Sequence, residues 1–172
     1  MTRAETEAWC IDSAYRSPIF HATSSDAAAR VLRDGFDLSY FAAGRMWGNG
    51  VYAAIDVQTA EYYLSHFGGA GMLLELRADV RRVLQVRFTL DSPKRPLFQL
   101  LALLPSGLRR FLDATIREPD QPAALTDLYV EEEYDAVEIT ADRFSPVIGG
   151  NQLLILDPRR VVVVRDDAAD AT

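Results

Sequence analysis

The hydrophobic pattern of this chain switches repeatedly between the period of a strand and the period of a helix. Short apolar segments between turn residues predict strands, and apolar residues three or four positions apart predict helices. The predicted strands cover residues 18–21, 51–54, 72–79, 83–90, 136–140, 152–157 and 161–165. One predicted helix is capped by Ser25 or Asp26 and ends at Gly35, and another is capped by Asp56. Three more predicted helices cover residues 97–104, 106–116 and 123–133. This pattern indicates an α+β domain, with strands around a cleft and helices inserted mid-chain.

The chain of 172 residues is long enough for one domain with a substantial core. Residues 1–17 are polar and predict an N-terminal arm, either loose or a short helix. Residues 18–165 form the single predicted domain. Residues 166–172 are mostly acidic or small, which predicts a disordered tail.

Charge and composition narrow the functional classes. The net charge of −7 argues against a general electrostatic grip on nucleic acid or an anionic membrane, although a local basic groove remains compatible with it. No apolar segment approaches the roughly 20 residues of a membrane span, and the N-terminus has no apolar signal segment. Cys10 is the single cysteine, and no spacing of metal ligands occurs. We therefore expect a cytoplasmic protein, or an effector exported without a cleaved signal, with no metal.

Candidate functional residues follow in a fixed order along the chain. His21 ends the first predicted strand and precedes Ala22 and Thr23, and a glycine turn at residues 48–50 delivers Tyr52. Tyr63 lies eleven positions further, across a predicted helix. Glycines allow close approach to a ligand, and tyrosine faces suit a flat cationic ring. Taken singly, the histidine is compatible with closing a strand and the tyrosines with packing in the core.

This order resembles the NAD-binding half of the ADP-ribosyltransferase superfamily, in its poly(ADP-ribose)-polymerase-like, His-Tyr-Glu branch. The resemblance covers residues 19–76 well and residues 134–164 moderately, whereas residues 88–133 resemble nothing recognisable. It implies a split antiparallel β-sheet around an NAD cleft, with NAD as co-substrate. It also implies release of nicotinamide and transfer of ADP-ribose.

The resemblance implies a role for each candidate residue. A His21 nitrogen and the Thr23 hydroxyl would bind a ribose, and the Ala22 backbone would hold the nicotinamide carboxamide. Tyr52 and Tyr63 would enclose the nicotinamide ring. In the loop before the glycine turn, Arg45 could meet the NAD diphosphate. Ala22 replaces a usual glycine of the family, and Ala60, next to Thr59, replaces a frequent serine.

The third family element is a glutamate at the start of a late strand, and Gln152 occupies that frame here, upstream of Asp157 and Pro158. Its amide can accept a ribose hydrogen bond but carries no charge and is no useful base. Loss of a preorganised charge beside a developing cation can cost several kcal/mol. We therefore expect single transfer and no chain elongation. Glu138 and the acidic residues 131–133 are the other carboxylates considered.

The first functional hypothesis is an NAD-dependent mono-ADP-ribosyltransferase acting on a macromolecular acceptor, a protein in preference to a nucleic acid. In a bacterial setting such a domain would suit a toxin or effector. The second is a non-catalytic NAD or ADP-ribose binding module in which Gln152 marks lost catalysis. The third is an enzyme of the tRNA 2′-phosphotransferase branch. Tyr52 argues against this hypothesis, because that branch has a second histidine at the corresponding position.

Overall fold

The computed structural model describes residues 1–40, 46–91, 96–104, 121–145 and 149–165. The helices are α1 Arg3–Trp9, α2 Ser25–Asp34, α3 Val57–Ser65, α4 Pro96–Leu101 and α5 Gln121–Glu131. The strands are β1 Ile19–Ser24, β2 Val51–Ala54, β3 Gly71–Ala78, β4 Val83–Phe88, β5 Ala136–Ala141, β6 Gln152–Ile155 and β7 Val161–Val163. The predicted mixed α+β class is confirmed. The predicted helix 106–116 and tail 166–172 lie outside the described residues.

The strands form one sheet of seven in the order β4-β5-β6-β2-β1-β3-β7. Neighbouring strands are antiparallel except β4 and β5, which run parallel. A parallel pair needs a long crossover. The connection between these two strands carries α4 and α5, so the helices inserted mid-chain serve as that crossover.

The contact between β1 and β2 is the narrowest in the described sheet. Its register is the single pair Phe20–Ala54. In contrast, β1 pairs with β3 from Ile19 through Ser24, and β2 pairs with β6 along its whole length. The strands therefore form two groups, β4-β5-β6-β2 and β1-β3-β7, which meet at this junction.

Among the described residues, two hydrophobic clusters form the core. The first core includes Trp47, Phe88, Leu100, Leu125, Tyr129 and Leu154. The second core includes Ile19, Ala28, Val51, Leu76, Leu153 and Ile155. Because adjacent strand residues point to opposite faces, the consecutive apolar residues of β6 contribute to both clusters. β6 is therefore buried on both faces, which fixes the position of its first residue.

The N-terminal arm contains the short helix α1 and packs on the sheet. Thr2 and Glu5 form a reciprocal capping box at its start. The Arg3 guanidinium binds the Glu75 carboxylate of β3 at 2.8 Å. Beyond α1, the buried Ser13 hydroxyl accepts from the Val80 N–H at 3.1 Å. These contacts join the arm to the end of β3.

Helix boundaries mostly follow the predicted caps. Asp56 caps α3, with its carboxylate 2.7 Å from the Thr59 N–H. For α2 the prediction was wrong: the cap is Ser24, not Ser25 or Asp26, because β1 extends to Ser24 and α2 begins directly after it. Among the described residues, none of the helices has the length and apolar character needed to cross a membrane.

Candidate functional site

His21 and Tyr52 meet at the narrow junction between β1 and β2. The His21 Nδ1 lies 2.8 Å from the Tyr52 backbone carbonyl. A carbonyl can only accept, so Nδ1 carries the hydrogen in this contact. In the neutral imidazole the other nitrogen, Nε2, is then an acceptor. The junction thus presents an acceptor nitrogen of the kind that could take a hydroxyl hydrogen.

The surroundings of His21 favour its neutral form. Its ring is half-buried and packs edge to face on Phe36, with ring centroids 5.2 Å apart. Burial lowers the pKa of His21 below its usual value, and the hydrogen bond to Tyr52 acts in the opposite direction. A neutral imidazole is the form that keeps an acceptor nitrogen near pH 7.

Tyr52 is fixed by the glycine turn that precedes it. Its hydroxyl donates to the Gly48 carbonyl at 2.8 Å and accepts from the Trp47 N–H at 3.0 Å. The half-buried ring packs against the first core. These bonds close the turn around the tyrosine, so the phenol has a structural role whatever else its ring contacts.

The side chains of Tyr52 and Gln152 share one face of the sheet. Tyr52 is opposite Leu154, and Ala54 is opposite Gln152. Cross-strand partners share a face. Phe20 shares it too, because it is opposite Ala54. The next residue, His21, projects from the other face. The sequence analysis assigned His21 and Gln152 to one site, so their projection from opposite faces departs from that expectation.

Gln152 lies at the start of β6, only 3% exposed. The Tyr63 hydroxyl and the Gln152 Nε2 both lie where a side chain on Gly149 would begin. Gly149 also has φ +80°, in the left-handed region that favours glycine. A glycine is therefore needed at this position on two counts. It lets the late strand bring Gln152 beside Tyr63, two residues that the sequence predicted for one site.

Tyr63 belongs to an aromatic group on the second half of α3. Its ring centroid is 5.4 Å from that of Tyr62 and 6.3 Å from that of His66. The ring centroid of Phe144 is also 5.4 Å from that of Tyr62. The pKa of Tyr63 is raised by burial and by Tyr62, while a hydrogen-bonding interaction with Gln152 acts to lower it. The phenol is therefore protonated at physiological pH. The expected sandwich of one ring between Tyr52 and Tyr63 stays a prediction.

Two further predicted site residues, Ala22 and Thr23, lie on β1. Ala22 is half-buried opposite Leu73, and Thr23 is buried opposite Met72. Both belong to the strand that carries His21. Arg45, the predicted diphosphate contact, lies outside the described residues.

Asn151, which the sequence analysis did not single out, lies between the glycine pair and Gln152. Its N–H donates to the Thr59 hydroxyl at 2.9 Å, and its Nδ2 donates to the Asp56 carboxylate at 2.7 Å. Its Oδ1 accepts from the Ala141 N–H at 3.2 Å. The only signal in the sequence was a polar residue entering an apolar strand after two glycines.

The alternative carboxylates lie elsewhere. Glu138 is opposite Leu153 and accepts from the Gln85 amide at 3.2 Å. Because Leu153 and Gln152 are consecutive, Glu138 faces away from Gln152. Glu133 forms an ion pair with Arg82 at 3.1 Å. Neither carboxylate stands in for Gln152 beside Tyr63.

Within the described ranges, no group of three or more His, Cys, Asp or Glu side chains is arranged to hold a metal ion. Comparison with models of known protein families gives no match, and comparison with curated protein sequences gives none either. The geometry of the site is therefore the basis on which a function can be argued.

Proposed function

We propose that this protein is an NAD-dependent mono-ADP-ribosyltransferase. In this reaction the bond between nicotinamide and ribose breaks, and neutral nicotinamide leaves with the bonding electron pair. A nucleophilic group of the acceptor then bonds to the ribose carbon and gives up its proton. The acceptor is a macromolecule, a protein in preference to a nucleic acid, since the chain carries a net charge of −7.

The observation that carries the proposal is the placement of Gln152 beside Tyr63. A buried polar side chain next to a half-buried aromatic ring suits a ligand with both a flat ring and hydroxyl groups. In NAD these two features are adjacent, as nicotinamide and its ribose. Gln152 would accept a hydrogen bond from the ribose, and Tyr63 would contact the ring.

The junction of β1 and β2 supports an extended ligand. His21 on β1 and Gln152 on β6 project from opposite faces of the sheet. Strand β2 lies between these strands and pairs with β1 only at Phe20–Ala54. For one NAD molecule to contact both residues, it would have to extend past this junction. The acceptor nitrogen of His21 would then take a hydrogen bond from a ribose hydroxyl.

The neutral amide of Gln152 limits the reaction. It can orient a ribose, but it cannot supply the negative charge that stabilises a cation forming as nicotinamide leaves. It also cannot remove a proton from an acceptor hydroxyl. We therefore expect transfer of one ADP-ribose, or slow hydrolysis of NAD, without chain growth.

The test is release of nicotinamide from NAD by the purified protein, followed by chromatography. Labelled NAD and a cell lysate then show whether a macromolecule acquires the label. Mass spectrometry shows whether the mass of that macromolecule rises by a single ADP-ribose group. Tyr63→Ala is expected to abolish release. Tyr134→Ala is the matched control, because Tyr134 is a half-buried tyrosine whose ring contacts the Arg82 side chain. Equal activity of the two variants would count against the assignment.

A second candidate function is binding of NAD or ADP-ribose without turnover. The observation that favours it is the neutral Gln152 at the reacting position. Thermal unfolding in the presence of NAD separates the two, because a ligand that binds the folded state raises the midpoint by mass action. A raised midpoint with no nicotinamide release supports the binding module.

A further inference from the structure

Asn151 forms a hydrogen-bonded hub between three parts of the fold. Its side chain donates to Asp56 at the start of α3 and accepts from Ala141 at the end of β5. Its N–H donates to the Thr59 hydroxyl, and its carbonyl accepts from the Ile55 N–H at 3.1 Å. Every polar group of this residue thus has a partner within the protein.

Two of these partners are on or next to α3, the helix that carries Tyr63. Asp56 caps that helix, and Thr59 lies one turn before Tyr63. Thr59 is fully buried, so its hydroxyl is available only to groups packed against it. Asn151 directly precedes Gln152. The hub therefore connects the element that bears Tyr63 to the residue that enters β6.

We propose that Asn151 is a positioning residue that holds Gln152 against Tyr63; this inference rests on the proposed function for its effect on activity. Gln152 itself touches Tyr63 through a side-chain amide, which has no charge to hold it in place. A rigid backbone next to it supplies the missing constraint. A displacement of about 1 Å at a reacting group can cost on the order of a hundredfold in rate.

The charge of Asp56 makes the hub testable. Asn151→Asp would place a second carboxylate where the amide nitrogen now lies 2.7 Å from the first. Like charges at this distance repel, and the donor is lost. Adding Asp56→Asn reverses the pair: the amide at position 56 donates to the carboxylate at position 151. Its carbonyl oxygen remains able to cap the Thr59 N–H. The double variant therefore restores one donor and one charge.

The experiment compares four proteins: the wild type, Asn151→Asp, Asp56→Asn and the double variant. In nicotinamide release we expect Asn151→Asp to lower kcat about tenfold or more, a change of ~1.4 kcal/mol in barrier. The double variant should recover most of that loss. Asp56→Asn alone should also lower kcat, because Asp56 accepts from both the Thr59 N–H and the Asn151 amide, and an asparagine there has one acceptor oxygen for these two donors. A reduced kcat in Asn151→Asp that the double variant does not recover, although it melts like the wild type, would overturn the positioning role. So would an unchanged kcat in Asn151→Asp.

A second measurement does not depend on turnover. In a ¹⁵N-labelled protein the side-chain amide of Gln152 gives its own NMR signals, identified by their loss in Gln152→Leu. We expect these signals to shift in Asn151→Asp and to return in the double variant. Gln152 amide signals that do not shift in Asn151→Asp would overturn the inference, whether or not the wild type releases nicotinamide. Absence of nicotinamide release by the wild type would by itself overturn only the proposed function. If Asn151→Asp does not fold, Thr59→Val removes the acceptor of the Asn151 N–H. An unchanged kcat or unshifted Gln152 amide signals in that variant would then overturn the inference.

Discussion

The imidazole of His21 donates from Nδ1 to the backbone carbonyl of Tyr52 at 2.8 Å, across the narrowest junction of the sheet. Strands β1 and β2 share the single registered pair Phe20–Ala54, so this side-chain bond extends a short backbone contact. The same bond fixes the imidazole tautomer and leaves Nε2 as the acceptor nitrogen. One residue thus joins two groups of strands and keeps an acceptor nitrogen on its ring.

These two roles of His21 can be separated by substitution. In His21→Asn the amide nitrogen replaces Nδ1 and can still donate to Tyr52, but nothing replaces Nε2. We expect near-normal thermal stability with loss of NAD affinity in a titration. His21→Ala should lose both, with a decrease of about 1 kcal/mol in unfolding free energy for the missing hydrogen bond. Unchanged NAD affinity in His21→Asn would contradict the binding role.

The lowered pKa of His21 predicts a pH dependence of stability. Burial is the main cause, and in the unfolded chain the imidazole titrates near its usual value of 6.5. Between that value and the lowered folded pKa, the unfolded state binds more protons. The contribution is therefore fully present above about pH 6.5 and decreases as the pH falls through this window. Urea unfolding at pH 7.5 and 5.5 should show a larger loss for the wild type than for His21→Asn. Equal losses would exclude this contribution of His21.

Local sequence signals predicted much of this fold. Asp56 precedes a helix as a cap, and Gly35 ends one at φ +81°. Such signals act within one turn of chain and need no knowledge of distant residues. The parallel pairing of β4 with β5 was not predicted, because it depends on how residues 89–135 return to the sheet. The same holds for the packing of the N-terminal arm, whose partners are Glu75 and Val80.

The N-terminal arm should be required for stability. The Ser13 hydroxyl is buried and exchanges hydrogen bonds with the Val80 N–H and carbonyl at 3.1 and 3.2 Å. Ser13→Ala leaves the Val80 N–H without this acceptor, whereas the Val80 carbonyl keeps its bond from the Ala14 N–H. The loss should cost about 1–3 kcal/mol, a typical penalty for a buried unsatisfied group. Ser17→Ala, at an exposed position of the same arm, is the control. Urea unfolding measures both variants, and equal stability would exclude this contribution of Ser13.

Gly149 should be more sensitive to substitution than a glycine with comparable backbone strain. Gly149 and Gly68 have φ +80° and +56°, but a side chain at Gly68 meets nothing within 4 Å. Gly68→Ala should therefore lose only about 1–2 kcal/mol from the left-handed conformation. Gly149→Ala should lose a further 1–3 kcal/mol, because its methyl group displaces Tyr63 or Gln152. Of the two variants, only Gly149→Ala should lose binding of a benzamide-like nicotinamide mimic. Equal effects in thermal melts and binding assays would contradict this packing.

The candidate site was predictable where single residues carry the signal. His21, Tyr52, Tyr63 and Gln152 were proposed from an order along the chain that resembles a known family, and their common role stays a prediction. Asn151 was missed because its partners lie at positions 56, 59 and 141, and asparagine before a strand has many ordinary explanations. A hydrogen-bonded hub is a property of the folded chain, so its members carry no common local pattern.

Gln152→Glu tests the most informative residue of the site. Gln152 is 3% exposed, so a carboxylate there would be desolvated and its pKa raised above the usual value near 4.3. We expect nicotinamide release to increase about tenfold or more, equivalent to ~1.4 kcal/mol of barrier, as the pH rises and the new carboxyl ionises. Gln152→Leu, which has a similar volume and no polar group, should show no gain at any pH. If Gln152 is adapted to its own acceptor, Gln152→Glu should lower transfer to that acceptor while hydrolysis rises. If Gln152→Glu folds and its nicotinamide release is unchanged across the pH range, the reacting centre lies away from β6. The alignment of Gln152 to the family glutamate would then be wrong.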